Sequence, residues 1–321
     1  MIEVTDGGLS TTVQDLGRHG HYHIGMPPSG TMDQFAGRVA NVLVGNDDDA
    51  AVLEMTYQGA TLEFTEDAVV AITGASMGAT LDGEDLSLWT AHAVDAGSEL
   101  SLAFAEDGAR TYLAVAGGID VPEYMGSRST YTLVSLGGHE GRALEAGDRL
   151  PVGASSVDST AVDGRSVPDD RRPTYDPSEP IRVVTGLCDY RLTDDGRTAL
   201  LDSEWTVSAE ADRVGYRLEG PDIEFEPREQ PFGAGTNPSN VVDLGYPVGS
   251  IQVPEQPIVL MRDAVTGGGY VTVGTVISVD RNRLAQRQTN QSVHFEAVSV
   301  EAAHEARHAH EERLDAIRSS L

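Results

Sequence analysis

The sequence contains no lysine: all 22 basic residues of its 321 are arginine, against 51 acidic residues and a net charge of −29. A P-loop lysine, a lysine Schiff base and a biotinylated lysine are therefore excluded, and any cation acting on phosphate or carboxylate must be Arg, His, a metal or a partner's residue. The one cysteine, Cys188, excludes an internal disulfide framework. No apolar run approaches the roughly 18 residues of a membrane-spanning helix, and Met1-Ile2-Glu3 opens without a basic leader, so a soluble, cytoplasmic protein is expected. Nothing resembles a basic face, which excludes nucleic-acid binding. An acidic coat carrying only Arg reads as the solvated surface of a protein kept soluble in concentrated salt, a halophilic adaptation, rather than as an anionic docking face.

What is present is a hydrophobic fraction of 40%, enough for a sizeable core. Short segments with strand character recur about every ten residues between Gly and Asp turns: Val52–Thr56, Thr61–Phe64, Ala68–Thr73, Ala79–Leu81, Glu99–Phe104 and Thr111–Ala116. Met32, Phe35, Ala36, Val39, Ala40 and Leu43 carry helical spacing, with Asp33 in the first turn and Gly45 placed to end the helix. The pattern resumes from Ile181 with strands at Trp205–Ser208, Tyr216–Leu218, Ile258–Met261 and Val273–Val279, and short helices over 190–201 and from Asp280. The expected fold is mainly β with a few helices: two related β-barrel lobes at 1–153 and 181–300, a polar linker at 154–180 and a polar terminal helix at 301–321.

The densest polar segment is Thr11–Arg18, where Thr12, Gln14, Asp15 and Arg18 offer a hydroxyl, an amide, a carboxylate and a guanidinium. Gly17, Gly20, Gly25 and Gly30 then turn the chain sharply. This reads as one wall of a polar pocket. Arg128 between Ser127 and Ser129, the Asp212-Arg213 and Tyr216 group, and the Gly267–Gly269 triplet flanked by Asp263, Thr266 and Tyr270 are further anion-binding or positioning candidates. Their recurrence in both halves places the expected pocket between two lobes. His304-Glu305-Ala306-Arg307-His308 matches a zinc-helix pattern, but a helix charged on all sides is a solvated one. His19, His21 and His23 alternate, and surface contact is their commonest fate. No metal is expected.

The segments TTVQDLGRHG, PPSGTMDQFAGRVANVLVGN, GGIDVPEYMGSRST, DRVGYRLEG and GSIQVPEQPIVLMRDAVTGGGY, within a match running from about residue 4 to 298, resemble the allophanate hydrolase subunit 2 family. That family is also called KipA-like, biotin-dependent carboxyltransferase-like, or the 5-oxoprolinase C subunit family. The resemblance implies cyclophilin-like β-barrel lobes and a partner, a KipI-like chain (allophanate hydrolase subunit 1, the 5-oxoprolinase B subunit). It implies three activities: ATP-dependent conversion of 5-oxoproline to glutamate, completed by a third, LamB/YcsF-like A subunit; carboxyl transfer from carboxybiotin to urea, with biotin on a separate carrier; or non-catalytic relief of a kinase inhibitor. The leading expectation is the first. In it Asp15, Glu54 or Asp263 is the acid or base, Arg18, Arg128 and Arg213 hold charge, and Thr12, Gln14, Tyr216, Gln252, Thr266 and Tyr270 position the substrate. Val265 and Gly267 stand where the family carries Gln and Thr, and Val214 where Met is usual.

Overall fold

A computed structural model describes residues 1–155 and 159–321, and the described chain divides into two units. The first takes Met1–Arg18, Ser29–Tyr175 and Glu311–Leu321; the second takes His19–Pro28 and Asp176–His310. The chain thus changes units inside the expected linker, after Tyr175. The described part of that segment is no bare linker: Val162, Val167 and Tyr175 are buried in the first unit, and the Tyr175 hydroxyl donates to Asp33 at 2.9 Å.

In the first unit, a nine-stranded sheet runs in the order Thr11–Gln14, Val52–Thr56, Glu99–Val115, Thr61–Phe64, Ile2–Asp6 and Arg149–Leu150, with Ala68–Leu81 also paired to Glu99–Val115. Two stretches expected as separate strands are here continuous, of 14 and 17 residues. Register shifts between Gly74 and Ala79 absorb the glycines as bulges instead of turns. Alternation sorts Leu53 and Met55 into a core with Leu62, Phe64, Ile72 and Leu113, while Val52 packs on the other face beneath the Gln34–Val44 helix. That helix is capped by Asp33, which accepts from the Ala36 amide, and ends at Gly45 in the left-handed conformation. The C-terminal helix, Val300–Ser320, buries Leu314 and Ile317 in the same layer, and Arg313 lies 5.1 Å over the Phe35 ring.

The second unit is an eight-stranded sheet ordered Ser292–Val293, Trp205–Val207, Gly215–Glu219, Ile258–Leu260, Ser250–Gln252, Thr272–Val276, Ile181–Thr185 and Phe295–Ala297. Its first and last strands are separated in sequence by His294 alone, so the sheet curls until its edges nearly meet, a barrel closed by chain continuity. Trp205, Tyr216, Leu218, Ile251, Val259 and Val273 are buried. A separate ribbon pairs Asn240–Gly245 with Gly267–Tyr270, so the glycine triplet is strand.

Candidate functional site

In the first unit the register Thr12↔Glu54↔Tyr112 sets three polar side chains in one row across the sheet, on the face that carries the helix. Gln14 lies two residues along the same strand. Its amide donates to Thr12 Oγ1 at 3.0 Å and to the Thr130 carbonyl at 3.2 Å, and its oxygen accepts from the Gly30 amide at 3.1 Å. Glu54 is 1% exposed; its Oε2 accepts from the Met32 amide at 2.7 Å, and its Oε1 lies 3.9 Å from Arg110. Tyr112 accepts from the Asp33 amide at 2.7 Å, and burial beside Glu54 and Asp33 pushes its phenol well above the ordinary range.

Asp15 is the hub of this region. One oxygen accepts from the Gly17 amide and the Ser127 hydroxyl, both at 2.7 Å, and from Ser129; the other accepts from the Arg128 amide at 2.5 Å. Arg18, 1% exposed, donates to the Ser129 and Tyr124 carbonyls. Gly137 sits at φ +67°, and a Cβ there would come 2.2 Å from the Ser129 oxygen and 2.7 Å from Arg18 Nη2. Only glycine allows this approach. Arg128 spends its guanidinium on the Val121 carbonyl, Glu123 and Asp120. Thr12, Gln14, Asp15, Arg18 and Arg128 are thus brought together, but their donors and acceptors are engaged by other groups of the first unit, chiefly backbone atoms and the Ser127 and Ser129 hydroxyls. The arrangement ties the Thr11–Arg18 strand end to the Ser127–Thr130 loop.

In the second unit Gln252, Thr266 and Tyr270 gather around Tyr246, while Arg213, Asp263 and Tyr216 make other contacts. Arg213 and Asp263 form a two-point ion pair at 2.8 and 3.2 Å, with Asp263 2% exposed. Tyr216 is buried, its hydroxyl donating to the carbonyls of Ala285 and Arg287 at 3.0 and 3.3 Å. Gln252 is buried beside the Tyr246 hydroxyl, which bonds both backbone polar groups of Tyr270. Tyr270 itself is 42% exposed on the ribbon. Thr266 lines a cleft.

That cleft, of about 760 Å³, lies wholly within the second unit, where His19–Pro28 meets residues 245–281. Its walls are apolar and aromatic, with Tyr22, Pro28, Tyr246 and Val248, and its charged groups are Arg262 and Arg281. Among the described residues, no Asp or Glu lines it. Burial raises the Tyr22 phenol above its ordinary value, opposed by the backbone at Val248 and by the two arginines. The same burial lowers Arg281. An anion with an apolar body suits such a site. Sequence reading passed over Arg262, Arg281, Tyr22 and Tyr246; the one available signal was the alternation of His19 and His23, both of which line the cleft. Gly74-Ala75-Ser76-Met77-Gly78 has the spacing of a nucleophile elbow, but it lies inside the Ala68–Leu81 strand and not at a strand-to-helix turn.

Residues 24–297 match the family model described as carboxyltransferase domain, subdomain A and B. The chain is 40% identical to the 5-oxoprolinase C subunit of Escherichia coli over 96% of its own length and 94% of that protein's. It is 33% identical to the 5-oxoprolinase C subunit of Haemophilus influenzae over 99% and 98%. Among solved structures it resembles urea carboxylase of Kluyveromyces lactis, with a TM-score of 0.92, 31% identity and coverage of 98% of this chain but 29% of that one. Two barrel-like sheets, the match across most of the residues and end-to-end similarity to C subunits agree: the chain belongs to the carboxyltransferase domain family, subdomains A and B.

Proposed function

We propose that this chain is the C subunit of an ATP-dependent 5-oxoprolinase-type complex, which opens the small cyclic amide 5-oxoproline to glutamate together with a KipI-like B subunit and a LamB/YcsF-like A subunit. One observation carries this reading: the similarity to the Escherichia coli C subunit runs through 96% of this chain and 94% of that one. The urea carboxylase and amidolyase relatives are matched over less than a third of their length, so they support a shared domain more than a shared reaction.

The residues present do not form a nucleotide phosphate site of the usual kind. There is no lysine, and the glycine triplet is paired strand rather than a loop ahead of a helix. Under this reading ATP is bound by the other subunits of the complex. Biotin, in the carboxyltransferase alternative, would have to arrive on another carrier for the same lack of lysine. Under the leading reading the carboxylates of Asp15, Glu54 and Asp263 act as internal ties, since each already accepts from groups of its own unit. Binding of the substrate's charged end falls to the second unit's cleft.

Co-expression with the B and A subunits, followed by assay of 5-oxoproline-dependent ATP hydrolysis and glutamate release, tests the proposal. An intact complex that turns over neither sinks it, and carboxylation of urea by a complex supplied with carboxybiotin carrier would favour the alternative.

A further inference from the structure

Among the described residues, Arg281 has no carboxylate partner. Its Nη1 donates to the Val248 carbonyl at 3.2 Å, and its Nε is buried without an acceptor among the described residues. In a chain where acidic residues outnumber basic ones by more than two to one, most arginines pair with Asp or Glu, as Arg38, Arg128, Arg142, Arg182 and Arg213 do. The ionisable groups nearest in effect to Arg281 are the Tyr22 phenol, kept protonated by burial, and Arg307, and Arg262 joins it in the cleft wall.

The fold also makes room for it. Gly249 adopts φ +92°, and a Cβ there would lie 3.1 Å from Arg281 Cδ and 2.8 Å from the Val276 oxygen. The turn at Pro247–Gly249 therefore supplies both the carbonyl that orients the guanidinium and the space its stem occupies. A planar cation held this way, with no counter-charge among the described residues and with Tyr22, Pro28 and Tyr246 alongside, matches a carboxylate on a small apolar body.

We propose that the cleft between His19–Pro28 and residues 245–281 is a binding site for a small organic carboxylate, with Arg281 as its anion-binding group. The site stands on this geometry alone; choosing 5-oxoproline as the probe rests on the function proposed above.

The test is titration calorimetry on the full purified chain, without ATP or other subunits. The probes are 5-oxoproline, its uncharged counterpart 2-pyrrolidinone, and inorganic phosphate. Expected are binding of 5-oxoproline, at least tenfold weaker binding of 2-pyrrolidinone and of phosphate, and at least a tenfold loss in Arg281→Gln. Should that variant fail to fold, wild-type protein answers instead: phenylglyoxal modification of Arg281, mapped by mass spectrometry, should be slowed by 5-oxoproline and not by 2-pyrrolidinone. No binding at tens of millimolar, unchanged affinity in a folded Arg281→Gln, equal binding of phosphate, or unprotected Arg281 overturns the proposal. A chain that binds while its complex fails to turn over overturns the oxoprolinase reading and leaves this one standing.

Discussion

Replacing Asp15 with Ala separates a structural tie from a reacting group. The carboxylate is 9% exposed and accepts four hydrogen bonds, from the amides of Gly17 and Arg128 and the hydroxyls of Ser127 and Ser129. Bonds to a charged acceptor contribute about 1.5–3 kcal/mol each, but they share one group, and its removal also relieves the cost of holding a charge in a mostly buried place. A net loss of about 3–5 kcal/mol follows, near the upper end for single substitutions. Asp15→Asn keeps one acceptor oxygen but turns an amide N–H toward one of the present donors, and should lose about 2–3 kcal/mol. The assay is urea unfolding in a Trp205→Phe background, which leaves Trp89 as the only tryptophan and a reporter of the first unit. A melting temperature lower by about 6–20 °C should accompany the Ala variant. A loss below about 1 kcal/mol, paired with abolished turnover in the assembled complex, would refute the structural reading and return Asp15 to the chemistry.

Tyr216→Phe should lower stability by about 1–2 kcal/mol by leaving the Ala285 and Arg287 carbonyls short of a donor, with kcat and KM of the complex unchanged. Asp148 accepts both Arg142 Nη groups at 2.6 and 2.8 Å, and this pairing holds its carboxyl well below the usual range. Its folded pKa being depressed, the stability it contributes is complete above its unfolded value of about 3.9 and is lost as pH falls toward the folded one. Asp148→Asn should therefore flatten the acid limb of the stability curve below about pH 4, and an unaltered limb would count against the pair. With a net charge of −29, the wild-type melting temperature should rise steeply between low and molar KCl as self-repulsion is screened; a flat response would contradict a halophilic surface.

Local pattern carried much of the fold. Val52–Thr56 and Thr61–Phe64 form with the bounds expected from sequence, and Asp33 and Gly45 mark the helix ends as their chemistry requires. Pattern failed where pairing with a distant strand overrode local turn signals. Gly74 reads as a turn, yet it sits in a bulge where a Cβ would lie 2.5 Å from the Arg110 oxygen. The Gly267–Gly269 triplet reads as a ligand loop, yet it pairs with residues 240–245, which carry little strand signal of their own. The candidate site was legible only in part for a related reason. Polarity identified Thr11–Arg18, but it could not say that Asp15 and Arg18 both turn to the Tyr124–Ser129 segment, or that Gln14 bonds Thr12, Gly30 and Thr130. Arg281 and Tyr22 lie far apart in sequence, and no local feature announces that the chain returns one to the other.

The role proposed for this chain is that of the C subunit of a 5-oxoproline-opening enzyme. Its most direct test measures glutamate released from 5-oxoproline by the co-purified complex with ATP present. Release that depends on this chain, and falls at least tenfold when it carries Arg281→Gln, is the predicted result. A complex that assembles intact, contains all three subunits and releases no glutamate would contradict it.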